Sequence, residues 1–249
     1  MNIFKEPLFS QSYIDTGEGQ PVILLHGLFG NIAMWRTTIN TLKHRYRVVV
    51  PRLPLFEVPI HRANVDYLVE VFHEFLLWHN LNNIILVGTD IGGQLALDYA
   101  YHYPENVKKV IISGCSGLFE NIPPINKADQ IDYDSVEDQV KDAFYKRDIV
   151  GTTMINKVYN TVNASSKNLH ISAFASSSKK SLVSKFLFRV SRPVLMIWGL
   201  QDKITPPEVA LHFHDLLRYG TIKFIDECGH YPMIEKPESY NEALLEFLN

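Results

Sequence analysis

Ile84-Ile85-Leu86-Val87-Gly88-Thr89-Asp90-Ile91-Gly92-Gly93 is the stretch whose reading decides the fold of this chain. Its four leading apolar residues read as a buried strand. The run Gly92-Gly93-Gln94-Leu95-Ala96-Leu97-Asp98-Tyr99-Ala100 reads as a helix that starts with small residues and can lie tightly on a sheet. Gly88 and Gly92 stand two positions either side of Asp90. A sharp strand-to-helix turn brings the backbone beside its central residue very close to its neighbours, and glycine has no Cβ to clash there. Such a turn presents its central residue as a nucleophile. The helix N-terminus aims amides at position 90 and favours negative charge on it. Taken alone, the stretch also fits an ordinary strand, turn and helix with Asp90 as N-cap.

The rest of the chain narrows the choice. Its 249 residues suit one α/β domain with a modest insertion. Hydrophobic residues make up 46% and charged ones 20%, as in an ordinary soluble protein. A formal net charge of −3 gives no bulk attraction to nucleic acid or to an anionic membrane. Met1 to Pro7 shows no basic region followed by an apolar core, and no apolar run approaches a membrane span, so neither a signal peptide nor a membrane anchor is expected. Cys115 and Cys228 imply no disulfide framework and fit a cytoplasmic location. Both read as buried structural residues.

Strand-like and helix-like segments alternate, the pattern of a mostly parallel sheet flanked by helices. Val22 to Leu25 reads as a buried strand ending at His26-Gly27, and Ala33 to Arg45 as helical. Tyr46 to Val50 is a strand that Pro51 terminates, and Val65 to His79 an amphipathic helix. After the Asp90 turn comes the strand Val110 to Ser113. From Leu118 to Ser191 the rhythm breaks: Pro123-Pro124, an acidic stretch (Asp129, Asp132, Asp134, Glu137, Asp138) and Lys179-Lys180 accompany helix-like pieces without a convincing strand. Residues 118–191 therefore read as a helical insertion, most simply a lid, on a core formed by 1–117 and 192–249. The acidic stretch reads as a solvated helix face. Alternation resumes with the strand Val194 to Trp198, a helix over Pro207 to Leu217, the strand Ile222 to Ile225 and a final helix from Pro237 to Leu248.

Three further motifs complete a candidate site. The segment Gly199-Leu200-Gln201-Asp202-Lys203-Ile204-Thr205-Pro206 puts Asp202 on a loop at a strand's carboxyl end. Cys228-Gly229-His230-Tyr231-Pro232 follows the next strand, which makes His230 the candidate imidazole and Asp202 its orienting partner. His26-Gly27-Leu28-Phe29-Gly30-Asn31 follows the first core strand; its glycines permit a turn that aims backbone amides into the site. The N–H groups of Leu28 and Ile91 are the expected oxyanion hole. His26 is expected to hold the loop.

With these motifs in order, the chain resembles the α/β-hydrolase superfamily over nearly its whole length: His-Gly loop, strand–nucleophile–helix turn, helical cap insertion, Asp loop and late Gly-His. The segment Cys115 to Glu120, Trp198-Gly199-Leu200-Gln201-Asp202 and Cys228-Gly229-His230-Tyr231-Pro232 look most like bacterial Ser-nucleophile esterase and carbon–carbon-bond hydrolase branches. Those relatives carry Ser at the position of Asp90. Asp nucleophiles are typical of haloalkane and haloacetate dehalogenases and of epoxide hydrolases. Those families usually have Pro where Phe29 stands, and haloalkane dehalogenases have Trp where Ile91 stands.

The resemblance implies a cofactor-free hydrolase with no metal, acting on a small, largely apolar substrate through Asp90, His230 and Asp202. A carboxylate needs no base to attack a saturated carbon or an epoxide. His230 would then activate water against the resulting ester, and the two neighbouring carboxylates should raise its pKa. Phe29, Trp35 and Phe144 are the expected substrate contacts, with Phe174, Phe186 and Phe188 as further lid aromatics. Tyr133, Tyr145 and Tyr159 are candidates for protonating an epoxide oxygen. The competing expectation is an esterase-like Ser-hydrolase scaffold whose nucleophile is replaced by Asp, binding ligand with little turnover. Oligomeric state is not readable from the residues.

Overall fold

The protein is described by a computed structural model covering residues 8–120, 131–180 and 183–249. Pro123-Pro124 and Asp129 lie outside the described residues. The strands are β1 (Tyr13–Thr16), β2 (Pro21–Leu25), β3 (Arg47–Pro51), β4 (Ile84–Thr89), β5 (Val107–Ser113), β6 (Val194–Gly199) and β7 (Gly220–Ile225). They form one sheet in the order β1-β3-β2-β4-β5-β6-β7. β1 runs antiparallel to β3, and every other pair is parallel. This is the α/β-hydrolase fold.

β4 and β6 are buried along their whole length, because both faces of the sheet are covered. Side-chain alternation feeds two cores. Ile23, Leu25, Leu86, Ile112, Met196 and Trp198 face α2 (Val65–Trp78), α3 (Ile91–His102) and α8 (Pro207–Leu216). Val22, Leu24, Val87, Ile111 and Ile197 face α1 (Arg36–Leu42), α9 (Pro232–Glu235) and α10 (Pro237–Leu248). Between β5 and β6 come α4 (Tyr133–Asp142), α5 (Thr152–Val162), α6 (Ser165–Lys180) and α7 (Val183–Phe186). Val136, Phe144, Ile155 and Ile171 give this insertion an apolar cluster of its own. Phe174 and Val183 instead anchor it in the first core. Asp132 caps α4 through a 2.9 Å bond from the Ser135 amide. No described helix is long and apolar enough to cross a membrane.

The strand order creates the site. From β2 the chain moves outward to β3, then returns to lay β4 on the other side of β2. Such a reversal opens a crevice outside the carboxyl ends of the two strands. The loops after β2 and β4, carrying Leu28 and Asp90, meet there.

Several boundaries differ from the sequence expectation. β1 is not anticipated, since Tyr13–Thr16 is an edge strand with alternating exposure and no apolar run. The helical segment around Ala33 to Arg45 is a 3-10 turn, Ile32–Trp35, followed by the shorter α1. Pro51 is the last residue of β3 and pairs in register with Tyr13, rather than standing beyond the strand.

The turn between β4 and α3 tolerates no added carbon at two positions. A Cβ on Gly88 would lie 2.2 Å from the Gly92 carbonyl oxygen, and one on Gly92 would lie 2.5 Å from that of Leu25. Backbone on both sides leaves neither clash a flexible atom to displace. Gly88→Ala or Gly92→Ala should therefore cost about 3 kcal/mol or more in urea unfolding. Gly151→Ala, with nothing within 4 Å of its Cβ, should cost under about 1 kcal/mol.

Candidate active site

Asp90 stands between β4 and α3 with φ 54° and ψ −129°. A positive φ is strained for a residue with a Cβ, by roughly 1–3 kcal/mol, and persists only where the surroundings impose it. Here they do. The Asp90 N–H donates to the Ser113 carbonyl at 3.2 Å, and the Asp90 carbonyl accepts from Gly93, Gln94 and Ser116 amides. The side chain is thereby aimed at the loop after β2, where the Leu28 N–H donates to Oδ2 at 2.7 Å. The Ile91 backbone amide also favours the ionised carboxylate. One of the two amides expected to form an oxyanion hole, that of Leu28, thus holds the carboxylate of Asp90 itself.

Burial pushes the Asp90 pKa up; the His230 charge and the Leu28 and Ile91 amides oppose that, and burial wins. His230 is buried, with Nδ1 2.9 Å from Asp202 Oδ2. Asp202 is held by the Ile204 and Thr205 amides on Oδ1, at 2.9 and 3.0 Å, and by the Thr205 hydroxyl on Oδ2 at 2.8 Å. Burial alone lowers the His230 pKa, but Asp202, by charge and hydrogen bond, and then Asp90 turn the net shift upward. That direction matches the sequence expectation. With Nδ1–H given to Asp202, a neutral His230 carries its lone pair on Nε2. Among the described residues, the ion pair of His230 is with Asp202 and none joins it to Asp90.

His26 is committed on both sides: Nδ1 contacts the Gly27 carbonyl at 2.8 Å, and Nε2 accepts the Leu53 amide at 3.0 Å. Burial lowers its pKa to about 4, so it stays neutral and holds the loop.

The aromatic expectations divide. Phe29 lines a cavity of about 40 Å3 with Leu28, Gly30 and Phe56, opposite Lys157, Val158 and Thr161 of α5. Trp35 is corrected: it is fully buried in the core on the α10 side of the sheet, packed on Tyr240, because the 3-10 turn carrying it rolls its ring beneath the sheet. Phe144 is buried in the insertion's cluster against Tyr231 and is not among the residues lining that cavity. Phe174 is a core residue, Phe186 stacks on Tyr101, and Phe188 is exposed. The Tyr133 hydroxyl is spent on Asn156 at 2.9 Å, Tyr159 packs on Tyr133, and Tyr145 is exposed. Cys115 and Cys228 are free and buried.

Four positioning residues lie outside the expected set. Gly114, at φ 49°, has room only for hydrogen: a Cβ there would lie 2.7 Å from His230 Nδ1 and Cε1. Thr205 orients Asp202. Glu235 accepts the Gly229 amide and the Tyr145 amide, each at 2.8 Å, joining the His230 loop to the insertion. Tyr231 places its ring edge-on to His230. Thr205 and Tyr231 sit inside the quoted Asp202 and His230 motifs, and Gly114 directly follows a strand end at the crevice. Glu235 leaves no comparable mark.

A raised pKa on Asp90 means the folded state binds its proton more tightly than the unfolded state does. The ionised form therefore costs stability above the folded pKa, and that cost disappears below the unfolded value near 3.9. Asn keeps an oxygen for the Leu28 amide and tolerates positive φ. Asp90→Asn is expected to raise the Tm at pH 8 by about 2–4 °C, the shift that 1 kcal/mol produces in a chain of this size, with the gain fading near pH 4. A lower Tm for Asp90→Asn at pH 8 would overturn this electrostatic account.

Comparison with known proteins agrees with the fold. The family model for the alpha/beta hydrolase fold matches residues 20–140. The chain is 28% identical to 2-hydroxy-6-oxo-6-(2'-aminophenyl)hexa-2,4-dienoic acid hydrolase of Metapseudomonas resinovorans, over 95% of this chain and 87% of that protein. It is 30% identical to MGS-MChE2, an alpha/beta hydrolase enzyme from a lagoon-sediment metagenome, with a TM-score of 0.78 over 94% of this chain and 93% of the other. CarC, a serine hydrolase involved in carbazole degradation, is 27% identical, with a TM-score of 0.79 over 95% and 93% of the two chains.

Proposed function

This chain belongs to the α/β-hydrolase family and is a hydrolase, and from that premise we propose that Asp90 is a working nucleophile toward a saturated carbon of a small, largely apolar substrate. The observation that carries this reading is the 2.7 Å bond from the Leu28 amide to Oδ2. It engages one carboxylate oxygen and leaves Oδ1 to attack. Oδ1 forms a bond to the carbon, and the leaving group departs with its electron pair. The product is an alkyl ester whose carbonyl oxygen, Oδ2, already lies on the oxyanion-hole amide.

Hydrolysis then follows from the same geometry. His230 Nε2 takes a proton from water as its oxygen adds to the Asp90 carboxyl carbon, and Asp202 stabilises the imidazolium. Charge develops on Oδ2, where the Leu28 amide already lies; such a donor is worth about 3 kcal/mol in comparable sites. The bond from the carboxyl carbon to Oδ1 breaks, the proton passes from His230, and an alcohol leaves. No step calls for a metal or an organic cofactor. Residues 118–191 act in this reading as a helical cap over 1–117 and 192–249, with Phe29 at the substrate. Two free cysteines suit a cytoplasmic setting.

A second reading has one observation in its favour: relatives of similar length include a serine hydrolase. In it the frame is esterase-like, and the Asp90 carboxylate fills the hole an ester oxygen would occupy.

Mass spectrometry of His230→Gln separates the two. The nucleophile reading expects the Asp90 peptide to gain one butyl group from 1-bromobutane, with bromide released, or one hydroxybutyl group from 1,2-epoxybutane, and steady turnover to fall by about 10²–10⁴. If no adduct forms and only Asp90→Ser hydrolyses p-nitrophenyl acetate, the second reading stands. A third check is pH. His230 must be neutral to activate water and its pKa is raised, so turnover should fall on the acid side, starting above pH 6.5. A rate flat down to pH 5 would exclude His230 as the base.

A further inference from the structure

We propose that a buried water molecule is held behind the Asp90 turn by Thr89, Ser113, Tyr240 and Trp35, and that it ties the ends of β4 and β5 to α10. Thr89 is the last residue of β4 and Ser113 the last of β5, and the two pair in register. Side chains alternate along a strand, so Thr89 shares a face with Val87, and Ser113 shares that face with Ile111. Val87 and Ile111 belong to the apolar cluster that also contains Trp35 and Tyr240. The 3-10 turn Ile32–Trp35 and α10 supply those two rings, whose centroids lie 6.4 Å apart.

This apolar layer contains four polar atoms that no protein group satisfies. Thr89 Oγ1, Ser113 Oγ, the Tyr240 hydroxyl and Trp35 Nε1 all belong to fully buried residues, and none completes a hydrogen bond among the described residues. A buried polar group without a partner is costly, and native structures rarely keep several on one side of a sheet. Ser113 lies close enough to the Tyr240 hydroxyl to favour its ionised form, against burial, which raises the Tyr240 pKa. The chemistry of the set selects the ligand. An indole N–H can only donate, whereas each hydroxyl both donates and accepts. Among the described residues no charge acts on Tyr240, so neither a cation nor an anion is called for. The group required is neutral, atom-sized, and able to accept from Trp35 while exchanging bonds with hydroxyls. Water meets all three conditions and makes about three hydrogen bonds in a typical buried site.

The position of the site connects it to the chemistry above it. Thr89 immediately precedes Asp90, and the Ser113 carbonyl accepts the Asp90 N–H at 3.2 Å. Gly114, the next residue, packs against the His230 ring. A water bonded to both strand hydroxyls therefore braces, from beneath, the two strand ends that hold Asp90 at its positive φ and meet His230. This brace has the same role whether Asp90 attacks substrate or fills the oxyanion hole.

A high-resolution crystal structure of the parent protein, with thermal unfolding of two near-isosteric variants, tests the site without any turnover. The crystal is expected to show a water within about 2.7–3.2 Å of at least three of the four atoms. Tyr240→Phe should lower the Tm by about 2–4 °C, because it leaves the water and its other partners one bond short. Deleting a hydroxyl that had no partner would instead raise the Tm. Thr89→Val should also lower it, and the double variant should lose less than the sum, since both groups act through one water. No water at the site, a direct Tyr240–Ser113 bond in its place, an unchanged or raised Tm in Tyr240→Phe, or strictly additive losses overturns the proposal.

Discussion

The hydrogen bond from the Leu28 amide to the Asp90 carboxylate joins the two halves of the sheet at the point where strand order reverses. It requires that Asp90 be held at a positive φ, that Gly88 and Gly92 let β4, α3 and the end of β2 approach without side chains between them, and that His26 pin the loop. Each of these is a cost in isolation: strain at Asp90, backbone entropy at the glycines, a carboxylate partly removed from water. Strand pairing and the two apolar cores supply the stability that offsets them. The result is a charged group held in a fixed direction inside a largely apolar crevice.

The insertion is tied to both ends of this arrangement. On one side Gln94, four residues after Asp90 on α3, accepts hydroxyl bonds from Ser116 at 3.2 Å and from Ser178 of α6 at 2.7 Å. On the other, the His230 amide donates to the Ala143 carbonyl at 2.8 Å, and Glu235 bridges the His230 loop to Tyr145. Movement of the insertion would therefore be felt at both Asp90 and His230. Burial raises the Glu235 pKa against three backbone amides, so this bridge weakens as pH falls and the carboxylate is protonated.

The core elements and the three candidate side chains were legible because each sits in a short motif with a steric or chemical reason. Gly88-Thr89-Asp90-Ile91-Gly92 marks its own turn, the loop carrying Asp202 follows the apolar run of β6, and the loop carrying His230 follows β7, whose residues alternate between half-buried and exposed. What escaped depends on distance in the sequence. β1 exists because β3 offers an edge, and nothing local in Tyr13–Thr16 announces it. Trp35 and Phe144 were expected at the substrate on size and apolarity, yet those properties suit a core equally, and packing against Tyr240 and Tyr231 decided their places. Gly114 and Glu235 matter through a contact with the His230 loop that no spacing predicts.

The central claim is that the oxygen delivered to product comes from Asp90 and that water replaces it. A single turnover of 1-bromobutane in 18O-labelled water, with excess protein, tests this directly. The account predicts unlabelled butanol and one 18O atom in the Asp90 carboxylate. Labelled butanol with an unlabelled Asp90, or no turnover at all, would contradict it.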